Sequence, residues 1–153
     1  MRSKTTIIIV SLIILFSACT NNKKSNDSDP TKTGKTDVTV AKRKIIVFFG
    51  NSLTAGYGLS PEQAFPALIQ KKIDSLALPY QVINAGVSGE TSSGGKTRID
   101  WILRKPVDIF VLELGANDGL RGTPLSETKK NLQDIIDTVK AKYPHTKLVF
   151  AGN

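Results

Sequence analysis

The sequence predicts an α/β fold built on a parallel sheet. Two observations carry this expectation: apolar runs too continuous for a strand with one wet face, and stretches of helical spacing that alternate with them. Ile45-Ile46-Val47-Phe48-Phe49 is rich in β-formers, lacks polar alternation and ends at Gly50, as suits a first strand buried on both faces. Ser60-Pro61-Glu62-Gln63 has the form of a helix start, with an N-cap, Pro at the first helical position and Gln at the third; Phe65, Leu68, Ile69, Ile73 and Leu76 follow at helical spacing. Tyr80 to Asn84 reads as a second strand, Ile99, Ile102 and Leu103 mark a helix closed by Pro106, and Val107 to Leu114 is a third strand. Leu132, Ile135, Ile136 and Val139 stripe another helix, stopped by Pro144, and Lys147 to Ala151 is a fourth strand. The order βαβαβαβ calls for right-handed crossovers. The sequence then stops at Gly152-Asn153, straight after a strand, so the last strand or strands and a closing helix are expected to be missing.

Charge is spread in a way that argues against a nucleic-acid partner. The formal net charge is +8, but +2 of it comes from Arg2 and Lys4, +3 from residues 20–43 and only +3 from residues 44–153. A hydrophobic share of 40% places the chain among packed globular proteins. One Cys and one His exclude an intramolecular disulfide and a Cys/His zinc site.

The N-terminus has the parts of an export signal: basic Arg2 and Lys4, an apolar run from Ile7 to Phe16, then small residues before Cys19. The run is too short for a permanent membrane span, which needs about 20 apolar residues. Phe16-Ser17-Ala18-Cys19 resembles a bacterial lipoprotein signal, with Phe16 where Leu is usual. That resemblance implies that Cys19 receives a diacylglyceryl group and that the protein is exported and anchored in a bacterial envelope. Residues 20–43, made largely of Asn, Lys, Ser, Asp and Thr, lack apolar periodicity and are expected to form a disordered polar tether. The domain is expected over residues 44–153.

In an open parallel sheet, ligands bind beyond the carboxyl ends of the strands. After the first strand comes Gly50-Asn51-Ser52-Leu53-Thr54-Ala55-Gly56-Tyr57-Gly58, which sets a serine at a strand-to-helix turn, with a hydroxyl to attack and an N–H to hold an oxyanion. After the second comes Asn84-Ala85-Gly86-Val87-Ser88-Gly89-Glu90-Thr91, whose glycines admit close approach to backbone donors. After the third comes Glu113-Leu114-Gly115-Ala116-Asn117-Asp118-Gly119, in which Asn117 can supply an amide donor. If the first strand lies between the second and third, the loops meet at one point.

At these residues the sequence resembles the SGNH, or GDSL, hydrolase family, most closely its small secreted esterase, thioesterase and lysophospholipase members. The resemblance runs from about Lys44 onward and rests on three blocks in order: 49–58, 83–91 and 112–122. It implies a three-layer, flavodoxin-like fold, with Ser52 as nucleophile and an oxyanion hole made by Gly89 N–H, the Asn117 amide and Ser52 N–H. Gly50, Asn51, Glu90 and Asp118 are expected to line the substrate side; Ser88, Ser92 and Ser93 are expected to be turn residues. No cofactor or metal is implied; the partner is an acyl ester, a thioester or a lysophospholipid. Thr54 stands where a Gly-x-Ser-x-Gly elbow would need its last Gly, so an ordinary α/β-hydrolase is excluded.

Two departures from the family pattern stand out. Asn51 replaces the usual Asp before the serine, keeping an acceptor and gaining a donor. The family's Asp-x-x-His block, which supplies the base, is absent, and His145 follows a helix end, away from the three loops. The chain is therefore expected to be an ester hydrolase of impaired activity, or else a membrane-tethered binding protein that keeps the pocket. A phosphate cradle after the first strand is disfavoured, because neither glycine pattern of a nucleotide-binding loop occurs there.

Overall fold

The computed structural model of the protein describes residues 42–152. The export segment, Cys19 and nearly all of the tether read into residues 20–43 lie outside the described residues. The elements run β1 (Lys44–Gly50), α1 (Ser52–Ala55), α2 (Phe65–Ser75), β2 (Tyr80–Gly86), α3 (Ser92–Ile102), β3 (Ile109–Glu113), α4 (Ala116–Leu120), α5 (Leu125–Lys142) and β4 (Lys147–Phe150).

The strands form one parallel sheet in the order β2-β1-β3-β4. β1 lies inside, which explains its unbroken apolar run: alternate side chains are buried on both faces. Val47 and Phe49 pack with Ile99 of α3, with Leu103 just after it, and with Ile135 and Val139 of α5. Ile46 and Phe48 point the other way, toward Phe65, Ile69 and Ile73 of α2. The result is three layers, with α2 on one face and α3 and α5 on the other. Phe49 and Phe110 are fully buried, each stabilising the fold by about 1.5–3 kcal/mol through loss of apolar surface.

Two elements depart from the sequence expectation. The helix expected from Ser60 is split: Pro61–Gln63 form a single 3-10 turn, Ala64 is extended, and α2 begins at Phe65. Pro66 has no N–H to donate to the Glu62 carbonyl in a continuous helix, so it is accommodated in the first turn of a new one. Lys71 Nζ takes that carbonyl instead, at 3.1 Å. Of the expected α2 stripe, Leu68 and Leu76 are exposed, and the face that packs follows the four-residue ridge Phe65, Ile69, Ile73. The turn read after β3 contains the short helix α4.

Candidate active site

The parallel register brings the first and second loops together, and the first and third. Gly50 at the end of β1 sits opposite Gly86 on one side and Glu113 on the other. Both glycines are required by close approach. A Cβ on Gly50 would lie 2.1 Å from Thr54 Oγ1, and one on Gly86 would lie 2.2 Å from the Ala55 nitrogen.

Ser52 is the first residue of α1, and Asn51 is its N-cap. The Asn51 side-chain oxygen accepts from Leu53 N–H at 2.9 Å, while its amide donates to Glu113 Oε1 at 2.7 Å. Glu113 Oε2 also accepts from Thr54 Oγ1 at 2.7 Å and from Asn51 N–H at 3.3 Å. This buried carboxylate thus seats the loop that carries the serine. Leu53 and Ala55 N–H are taken by Asn51, whereas neither Ser52 N–H nor its hydroxyl has a protein partner among the described residues. α1 presents that N–H because the first donors of a helix have no carbonyl four residues back.

The second and third loops are laced to each other. Asn117 Nδ2 donates to the Glu90 carbonyl at 2.8 Å, and an amide nitrogen keeps a second hydrogen to offer. Gly89 adopts φ +77°, a left-handed backbone that favours glycine, and its carbonyl accepts from Arg121 Nη2 at 2.8 Å. Asp118, 1% exposed, accepts from Ser92 N–H at 2.8 Å and from Ser92 Oγ at 2.5 Å. The Val87 N–H donates to the Gly50 carbonyl at 3.0 Å, tying the second loop to the first.

These contacts fix where the expected site residues sit. Asp118 and Glu90, expected on the substrate side, have their carboxylates committed inside the protein. Glu90 is held by Arg98, whose Nε donates to Oε1 at 2.5 Å and whose Nη2 reaches Oε2 and the Ala85 carbonyl; the guanidinium lies 4.0 Å above the Phe49 ring. Asn51 is 2% exposed and faces Glu113, with both polar atoms of its side chain engaged in the protein, and Gly50 abuts Thr54 and Glu113. Ser92, expected in a turn, is the buried first residue of α3. Glu113, Thr54 and Arg98 were given no role in the site by sequence reasoning, although a Glu as the last residue of an apolar strand was a usable signal. His145 is exposed at the amino end of the sheet, beside Lys44, Tyr80 and Lys147, at the opposite edge from Ser52.

Residues 48–153 match the GDSL-like Lipase/Acylhydrolase family. The chain belongs to that family. Among its relatives, Esterase TesA of Pseudomonas aeruginosa is 36% identical over 104 residues, covering 67% of this chain and 51% of the relative. Thioesterase 1/protease 1/lysophospholipase L1 of Escherichia coli is 41% identical over 97 residues, covering 63% and 45%. The fold is similar to that of AlinE4, an SGNH-hydrolase family esterase, with a TM-score of 0.65, 33% identity and coverage of 71% of this chain and 58% of that one. This chain spans about half the length of the curated relatives it matches.

Proposed function

We propose that the protein is a serine ester hydrolase acting on acyl esters or thioesters, a lysophospholipid among them. The observation that carries this reading is the lacing of three loops around Ser52, whose hydroxyl is unengaged among the described residues, in a chain of the lipase/acylhydrolase family. In the reaction a base takes the proton from Ser52 Oγ, and Oγ attacks the acyl carbonyl carbon. The proton passes to the leaving alcohol or thiol as its bond to carbon breaks. Water then attacks the acyl-serine, releases the acid and returns a proton to Oγ. Gly89 N–H, Asn117 Nδ2–H and Ser52 N–H receive the oxyanion that forms in each half. The names of the relatives, esterase and thioesterase, support the substrate class. Exposed Leu53 of α1, Leu120 of α4, and Tyr57 and Val87 in the surrounding loops supply an apolar rim suited to an acyl chain.

A second reading, a binding protein that keeps the pocket without turnover, is favoured by one observation. His145, the one histidine among residues 1–153, lies at the other edge of the sheet from Ser52. Labelling with a serine-directed phosphonate and hydrolysis of a short p-nitrophenyl ester, each with a Ser52→Ala control, separate the two. Ser52-dependent labelling and turnover are expected of the hydrolase; ester binding without either points to the binding protein.

We further propose that the protein is exported and anchored in a bacterial envelope membrane through lipid on Cys19, a reading supported by the basic, apolar and small-residue order of residues 1–19. Cys19→Ala is expected to release it from the membrane fraction, and wild-type retention of the variant would overturn the reading.

A further inference from the structure

The amino edge of the sheet, opposite Ser52, concentrates the positive charge of the described domain. Four adjoining hollows open there and share lining residues, Lys44 and His145 among them. Their walls carry Lys42, Arg43, Lys44, Lys105, Lys142 and Lys147, all exposed. Against these six cations stand two carboxylates, Asp74 and Asp108. Asp108 is committed to the Ile45 N–H at 2.7 Å, and Asp74 pairs with Arg43 at 3.4 Å. From residue 42 onward the sequence has 15 basic and 10 acidic residues, a net +5, so this edge holds +4 of it.

We propose that this basic edge is a docking face for an anionic lipid surface, lying against the bilayer and turning the Ser52 edge away from it. Charge complementarity selects the partner. Exposed Lys and Arg near a membrane of anionic lipids each strengthen binding by about fivefold, with a reach of about a Debye length. Connectivity agrees, because the chain enters β1 from Lys42 and Arg43, so everything N-terminal to the domain, Cys19 included, is joined to it at this edge. The charge sits on strand starts, short connections and the last residue of α5, not along the face of a helix or strand that could enter a nucleic-acid groove. The proposal does not depend on lipid at Cys19 or on hydrolysis at Ser52, since the face would bind unlipidated.

The test is co-sedimentation of the full chain with phosphatidylcholine vesicles, pure or containing about a third phosphatidylglycerol, in about 0.05 M and 0.5 M salt. The anionic-over-neutral binding ratio cancels whatever the N-terminal apolar run contributes to both. That ratio is expected to fall at high salt, and to fall at least about tenfold in a quadruple variant, Arg43→Gln, Lys44→Gln, Lys105→Gln and Lys147→Gln. Thermal melting checks that this variant is folded; if it is not, Lys44→Gln and Lys105→Gln singly are each expected to lower the ratio about fivefold. Orientation is read in a Cys19→Ser background with a fluorophore on Lys105→Cys or on Leu120→Cys. Nitroxide-bearing lipid should quench the first and spare the second. Loss confined to a variant lacking Lys23, Lys24, Lys32 and Lys35, quenching at position 120 in place of 105, or preference for a short DNA duplex over the anionic vesicles would each overturn the proposal.

Discussion

At the carboxyl edge of the sheet the loops after β1, β2 and β3 are bound to one another by buried side chains: Asn51 and Thr54 to Glu113, and Ser92 to Asp118. At the amino edge the connections are exposed and basic, and hold through Asp108 to Ile45 N–H and through Thr146 Oγ1 to the Val107 carbonyl at 2.6 Å. The difference follows from parallel topology. β1, β2 and β3 each deliver a helix start at the carboxyl end, where unpaired N–H groups and acidic side chains suit each other, and β2, β3 and β4 each receive a helix end at the amino end, where Lys140 and Lys142 of α5 suit the last carbonyls. Side-chain hydrogen bonds from one loop to another are therefore concentrated where a reacting group must be held, and exposed charge where a surface can be met.

The sharpest break of this contrast is Ser52→Ala, which is expected to remove serine-directed phosphonate labelling and any Ser52-dependent ester hydrolysis while leaving the urea midpoint unchanged. An equal rate in the variant would show that chemistry does not reside at the carboxyl edge. Next is Gly86→Ala: its Cβ would meet the Ala55 backbone nitrogen at 2.2 Å, and backbone cannot swing aside as a side chain can. A destabilisation of about 3 kcal/mol is expected in urea unfolding. Glu113→Gln should cost about 2 kcal/mol, because one amide hydrogen pair must face Asn51 Nδ2 or Thr54 Oγ1 and leave a buried donor unmet.

Asn51→Asp sharpens the comparison more finely. It sets a second carboxylate where the Asn51 amide now lies, 2.7 Å from Glu113, so the folded pair binds a proton more tightly than the same groups do unfolded. That raised folded affinity contributes stability that is fully present at low pH and is lost as pH rises. The variant should therefore match the parent best near pH 4 to 5 and fall behind toward pH 8 in thermal melts. Since the residue holds the loop and does not touch the reacting atoms, kcat should change by less than about tenfold, or ~1.4 kcal/mol. The smallest effect is expected at the other edge, where Lys147→Gln, at an exposed strand start, should shift stability by no more than about 0.5 kcal/mol.

The sequence by itself determined the class of fold, the strands of the sheet and the residues of the three loops, because these depend on local periodicity and on residue types next to one another in the chain. Ile45 to Phe49 could be read as a strand buried on both faces, and Ser52 as the serine at its end, without knowing any neighbour. Even locally the reading failed where two signals competed: the start at Ser60-Pro61 was overruled by Pro66 six residues on. What only the tertiary structure decided is which polar side chains face inward. Glu113 and Asn51 are 62 residues apart and meet because β1 and β3 are neighbours in register. Glu90 and Asp118 read from the sequence as loop carboxylates on the substrate side, and only the fold supplies their partners Arg98 and Ser92. The cations of the amino edge are scattered from Lys42 to Lys147 and become one face only because four strands run parallel. A carboxylate or an ammonium group is written the same way in the chain whether it will be buried, paired or left to meet a partner; the neighbours that decide its solvation come from distant residues, brought close by packing.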